Sequence, residues 1–393
     1  AGSAYTYAYA TLGEFVAWVI GWDLILEYGI SVAPTAVSWS GYLQSLLAPL
    51  GFHLPDWAHD GQIAWTSAHL IDVSRTHVDV LAAAIVLLIS ALLVIGIRES
   101  AGTNTALVIF QIVAIVVFVA GLIAFVDPHR FVPFAPLGVH GIVRSAAIVF
   151  FAYIGFDTVT VASEESVNPQ RDLPIGVIGS LVIGAILYLA IAYVTVGAAP
   201  WAGIDANAGM SDVVHRATHN QFLFIFISLG ALAGTTTVIL TSLLGQARIF
   251  FVMARDRLVW PWVAVTHHRF KTPARMTMIT GVIVAIFAAT SPIDWLIEFV
   301  NIGTLAAFAI VSLGVVILRY ARPDAHRPFK VPFGPLVGGL GFLLCMYLMI
   351  DGLRALTWWR FIAWFVIGLA IYAFYGFRHS LLRRSERLRP DAS

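Results

Sequence analysis

Charge is what this chain has least of. Asp, Glu, Lys and Arg make up only 11% of its 393 residues, where a soluble domain carries about 25%. Hydrophobic residues reach 59% and the mean hydropathy is +0.86. Long apolar runs with so little charge predict an all-α integral membrane protein. The net charge of +1 argues against a nucleic-acid partner. A single cysteine, Cys345, lies in an apolar run, which excludes an intrachain disulfide and a cysteine metal cluster. Catalytic signatures are missing as well: there is no His-Glu-x-x-His, no Gly-x-Ser-x-Gly and no phosphate-binding glycine loop, so neither an enzyme nor a cofactor is expected. His53, His59, His69 and His77 share one loop without tight metal-ligand spacing, and read as polar loop residues.

What is present is a series of apolar stretches. A spanning helix needs about 20 mostly apolar residues, and ten such segments are predicted: 13–47 (bent near Pro34), 79–98, 104–126, 142–164, 174–199, 221–253, 275–292, 295–320, 335–351 and 359–378. They form a single membrane transport domain over 1–393, with an extracytoplasmic loop at 49–77 and a basic tail at 379–393. If the loops alternate, one side collects most of the Lys and Arg, among them Arg248, Arg255, Arg257, Arg269, Lys271, Arg275, Arg319, Arg378 and Arg383. The other side holds Arg75, Arg130, Arg144, Arg216, Arg354 and Arg360. That bias places the C-terminus in the cytoplasm and the protein, multi-pass, in the cytoplasmic membrane.

One segment departs from the rest. Residues 144–165 are apolar enough for lipid, yet hold Gly155 and Asp157 in the middle. Glycine weakens a helix, and a mid-membrane carboxylate costs at least ~2.5 kcal/mol on insertion scales. Both are tolerated if the backbone opens onto a protein-lined cavity, as discontinuous helices do around small ligands. A packing glycine beside a satisfied aspartate is the plain alternative. Other intramembrane polar groups are Asp23 and Glu27, four apart and so on one face, Gln111, the Thr235–Thr237 run, and, more weakly, Asn301 and Ser312. The threonines either line a path or bond back to their own helix. Arg255, Asp256 and Arg257 form either a gate latch or a solvated helix end.

Taken together, Gly2–Glu14, Gly21–Tyr28, Phe150–Asp157 with Glu164-Glu165 and Asn168–Pro174, and Gly245–Phe251 resemble the cationic amino acid transporter branch of the amino acid–polyamine–organocation superfamily, over essentially the whole chain. The resemblance implies a partial inverted-repeat transporter fold, of the five-plus-five type, with about ten transmembrane helices here. It implies that backbone around Phe150, Ala152, Tyr153 and Ile154, beside the Gly155 and Asp157 interruption, meets the amino group of a substrate, with Phe156 as an aromatic gate. Glu27 matches a family carboxylate, and Thr235 and Thr236 match hydroxyl positions. Two departures accompany it. The family's first two helices match nothing in this chain, so missing N-terminal helices of the same permease are expected as partners. Gln111 stands where relatives place a coupling lysine, and glutamine cannot titrate. The expected function is a secondary active amino acid permease working by alternating access in the lipid bilayer, with proton coupling open. A polyamine or organic-amine carrier and a non-transporting membrane sensor are the alternatives.

Overall fold

The computed structural model describes residues 5, 8–9, 13–63, 76–96, 101–156, 168–270, 272–321, 323–324 and 331–381. Among these, regular structure is helical, apart from one isolated antiparallel bridge between Gln62 and His77 in the 49–77 loop. Ten apolar helical segments occupy the ten predicted places. Seven are long and apolar enough to cross a membrane, and three are shorter: Val80–Ile95, Gly138–Tyr153 and Ala274–Thr290. The short ones end for local reasons. Val80–Ile95 stops at Gly96, whose φ of 79° ends the α-helical ladder. Ala274–Thr290 stops before the Ser291-Pro292 turn, and Gly138–Tyr153 ends at the interruption.

The first span is the most buried. Helix α1, Glu14–Ile25, runs through a π-helical turn at Leu26–Ile30 into α2, Val32–Leu47. The expected bend at Pro34 is instead this wide turn. Pro34 lacks the N–H that would reach the Ile30 carbonyl, and the helix widens immediately upstream. Glu27 rides on that turn, one residue after Leu26.

Helices α3 (Val80–Ile95), α4 (Ala101–Leu122), α5 (Gly138–Val149) and α6 (Pro169–Ala198) follow. A short amphipathic helix, α7 (Gly209–Thr218), precedes α8, Gln221–Arg255. At 35 residues, α8 is about 50 Å long. Then come α9 (Ala274–Thr290), α10 (Ile293–Ala321), α11 (Gly334–Gly352) and α12 (Ala355–Ile371).

Helix α10 organises the interior. Leu296, Val300, Ile302 and Leu305 are fully buried in a cluster shared with Leu26, Ala147, Ile239, Leu243 and Met349. The π turn, α5 and α11 all pack on it. Gly303 lies where a Cβ would collide with Leu26, so glycine lets the π turn approach α10 closely. On the opposite side of the molecule, α4 packs on α8 through Gly230 against Ala114 and Gly234 against the Gln111 amide, a small-residue contact at i, i+4. Outward-facing positions stay apolar, for example Ile183, Leu189, Leu343 and Ile367, as a lipid-facing surface requires.

Candidate functional site

The α-helical ladder of α5 ends at Val149 and tightens into a 3-10 turn over Phe150–Tyr153. Ile154 is extended, with φ −63° and ψ 138°. Gly155 then takes φ +100°, and no atom of the described residues lies within 4 Å of where its Cβ would be. That φ belongs to glycine, so backbone conformation is itself a reason for glycine here. The expected interruption is therefore real. Asp157, Glu164 and Glu165 lie outside the described residues, as do Lys271 and residues 382–393 of the tail.

An interrupted helix leaves carbonyls without intrahelical partners. Helix α10 supplies a donor at this end: the Asn301 Nδ2 donates to the Ala147 oxygen at 2.7 Å and to the Ile148 oxygen at 3.1 Å, and Ile148 also accepts the Phe150 N–H. The Ala152 carbonyl accepts the Tyr188 hydroxyl from α6, and the Tyr153 and Tyr188 rings meet edge-on at 5.2 Å. A carbonyl oxygen has two lone pairs, so Ala152 keeps acceptor capacity. Phe308 on α10 touches residues on both sides of the turn, with ring centroids 5.9 Å from Phe150 and 5.3 Å from Phe156.

The structure brings the other expected residues into two groups. The π turn carrying Glu27, which is 1% exposed, packs on α10 as the interruption does. Asp23, four residues earlier, is fully buried, with no hydrogen-bond partner for either oxygen among the described residues. Gln111 and the threonines form a second group at the α4–α8 contact. Thr235 Oγ1 donates to the Ala231 carbonyl at 2.8 Å and Thr236 Oγ1 to Leu232 at 2.7 Å, so both hydroxyls bond back to their own helix. Thr236 also accepts the Trp39 indole N–H at 3.0 Å, tying α2 to α8.

Two polar clusters lie at the helix ends, and the first escaped sequence reasoning. Glu298 on α10 is buried and accepts Arg354 Nε at 2.7 Å and Thr357 Oγ1 at 2.6 Å, with Arg144 Nη2 at 4.0 Å. Its partners lie far away in the chain, so no local pattern betrays it. At the other end, Tyr5 donates to Asp256 at 2.8 Å, and Tyr372 donates to Glu14 at 2.7 Å. Burial, and then the Asp256 carboxylate, push the Tyr5 phenol up, which keeps it a donor. Asp256 is thus tied to the N-terminal region rather than simply solvated. Two cavities lie away from the interruption. One of about 400 Å³ includes Asp205, Asp212, His215 and His219, and one of about 300 Å³ is walled by Trp22, Trp260, Trp262 and Trp364.

The family profile described as "Amino acid permease" matches residues 1–376. The chain is 42% identical over 387 residues to the branched-chain amino acid permease BcaP of Bacillus subtilis, covering 98% of this chain and 81% of that protein. It is 39% identical to the methylthioribose transporter of the same organism, covering 98% and 81% respectively. It is 37% identical over 353 residues to the vacuolar cationic amino acid transporter 2 of Arabidopsis thaliana, covering 87% of this chain and 53% of that protein.

Proposed function

The chain belongs to the amino acid permease family of the amino acid–polyamine–organocation superfamily, and on that premise we propose that it carries apolar, neutral amino acids by alternating access, gripping them at the interruption after α5. An amino acid permease it is; the cargo and the grip are the proposal. The observation that carries it is the change from helix through a 3-10 turn to extended backbone at Ile154 and positive φ at Gly155. Within a bilayer, backbone can leave its ladder only where protein or a watery cavity takes over its hydrogen bonds. Carbonyls there with acceptor capacity to spare would receive the substrate ammonium, with Ala152, Tyr153 and Ile154 nearest to it.

Phe150, Phe156 and Phe308 make an aromatic wall on the same side, which suits an apolar side chain better than a charged one. The relatives include a branched-chain permease and a cationic transporter, and the wall favours the former chemistry. Glu27 would serve as a fixed charge near the site, and Thr235 and Thr236 as the opposite wall. Gln111 cannot carry a proton, so any coupling passes elsewhere. The basic loops set the cytoplasmic side, with the protein in the cytoplasmic membrane and residues 1–393 acting as one transport domain.

The test is saturable uptake of radiolabelled leucine by the full-length protein in liposomes, with and without a pH gradient. Competition by isoleucine and valine, with weaker competition by arginine and putrescine, is expected. A methylthioribose carrier, which one relative's name raises, would show uptake blocked by that sugar and not by isoleucine. Absence of saturable uptake of any amino acid rejects the proposal.

A further inference from the structure

Helix α10 meets the outer half of the interrupted helix at two points, one turn apart, and the two are built differently. At Asn301 the contact is rigid. Both described donations of its amide go to carbonyls, those of Ala147 and Ile148, and Asn301 is fully buried. Pulling it away would take a buried donor from the Ala147 carbonyl and leave Ile148 with only the Phe150 N–H, which is costly in a buried interior. At Glu298 the contact is uneven. The short bonds, 2.7 Å to Arg354 and 2.6 Å to Thr357, come from the start of α12. Among the described residues, its polar link to α5 is the 4.0 Å approach of Arg144.

Positions 298 and 301 share a face of α10, and 144, 147 and 148 share a face of α5, so the two contacts lie along one line. We propose that Arg144 and Glu298 form the releasable latch of the site's entrance, with Asn301 as the pivot about which the outer half of α5 swings. The inference rests on the alternating-access reading above. Separating Arg144 costs little, because its side chain is 45% exposed and can hydrate. Glu298, whose side chain is 3% exposed, keeps Arg354 and Thr357, so opening never leaves a buried carboxylate without a cation. Arg354 also reaches Asp294 at 3.9 Å, and Arg360 lies 4.3 Å over the Trp295 ring, which fixes the α12 side of the latch. Arg144 and Glu298 are positioning residues: neither is placed in contact with the substrate.

The experiment reads access rather than flux. In the full-length protein with Cys345→Ala, Ala152→Cys supplies one thiol at the interruption, and a membrane-impermeant maleimide is added from either face. Arg144→Gln, which leaves Glu298 its two close partners, should speed labelling from the Arg144 face roughly three- to fivefold, the loss of one exposed ion pair. Glu298→Gln should do the same, and the double variant no more than either alone. Arg130→Gln, whose guanidinium holds the Gly197 carbonyl elsewhere, should leave the rate unchanged. Equal acceleration from both faces, additive effects or no change in Arg144→Gln overturns the latch. Should Glu298→Gln fail to fold, Arg144→Gln alone decides. Loss of leucine uptake by the unmodified protein would sink the transport reading while leaving these labelling rates interpretable.

Discussion

Two stretches of this protein put irregular chemistry into an apolar span, and they resolve it in opposite ways. Residues 231–241 of α8 carry four threonines, and the helix runs on unbroken. Each hydroxyl donates to a carbonyl three or four residues back, Thr237 to Ala233 and Thr241 to Thr237 among them. Residues 150–156 are almost wholly apolar, yet there the ladder is abandoned. The polarity of side chains is therefore a poor guide to where backbone opens. Hydroxyls bring donors that their own helix can absorb. Three phenylalanines, a tyrosine and a glycine at φ +100° bring no such hydroxyl to the local backbone, so outside the Ile154 N–H bond to Phe151 its carbonyls look to other helices, as Ala152 does to Tyr188, or to a guest.

The sharpest way to break this contrast is to remove the external donor. Asn301→Leu keeps the branched shape but removes the donor to the Ala147 carbonyl and one of two donors to Ile148, at ~1–3 kcal/mol for a buried unsatisfied group. A loss of about 3 kcal/mol in stability and of nearly all uptake is expected. Thermal unfolding in detergent, read alongside transport, checks it, and a stability change below about 1 kcal/mol would contradict the pivot.

Next in size is Gly155→Ala. Since no described atom crowds the position, backbone strain is the expected cost, about 1–2 kcal/mol. Leucine uptake should fall by about tenfold while the protein still folds. Unchanged uptake would return Gly155 to a spacer.

Phe308→Ala removes the ring shared by Phe150 and Phe156, worth about 1 kcal/mol. The KM for leucine should rise by about fivefold, and that for arginine, if it is carried, by less. Equal rises for both would detach the aromatic wall from selectivity.

Thr235→Val should matter least. Its hydroxyl is spent within α8, so stability should move by less than about 1 kcal/mol and KM by less than about threefold. A large KM effect would mean that the Thr235 hydroxyl, and not just its place in the wall, meets the substrate.

Much of the fold was legible because lipid leaves the chain few options: a run of about 20 apolar residues must be a helix. The interruption was legible for a related reason, since Gly155 and Asp157 sit where a lipid-facing helix has no use for them. What stayed hidden depends on partners distant in sequence. Glu298 follows Trp295 and Ile297 in an ordinary amphipathic start to α10, and nothing near it announces Arg354, Thr357 or Arg144. Asn301 looked like one more small polar residue, because its importance lies in carbonyls of another helix, at Ala147 and Ile148. Helix α7 was missed for its length of 10 residues, too short for any membrane criterion. The wide turn at Leu26–Ile30 was placed instead at Pro34, since proline marks where a hydrogen bond is lost but not how the preceding helix absorbs the loss.

Amide hydrogen exchange on the full-length protein, with and without saturating leucine, addresses the grip itself. Peptides spanning 150–156 should be slowed by the amino acid, while those spanning 231–241 exchange at the same rate in both conditions. Leucine-dependent slowing confined to 231–241, or none at 150–156 under conditions of proven uptake, would mean that the cargo is held somewhere else.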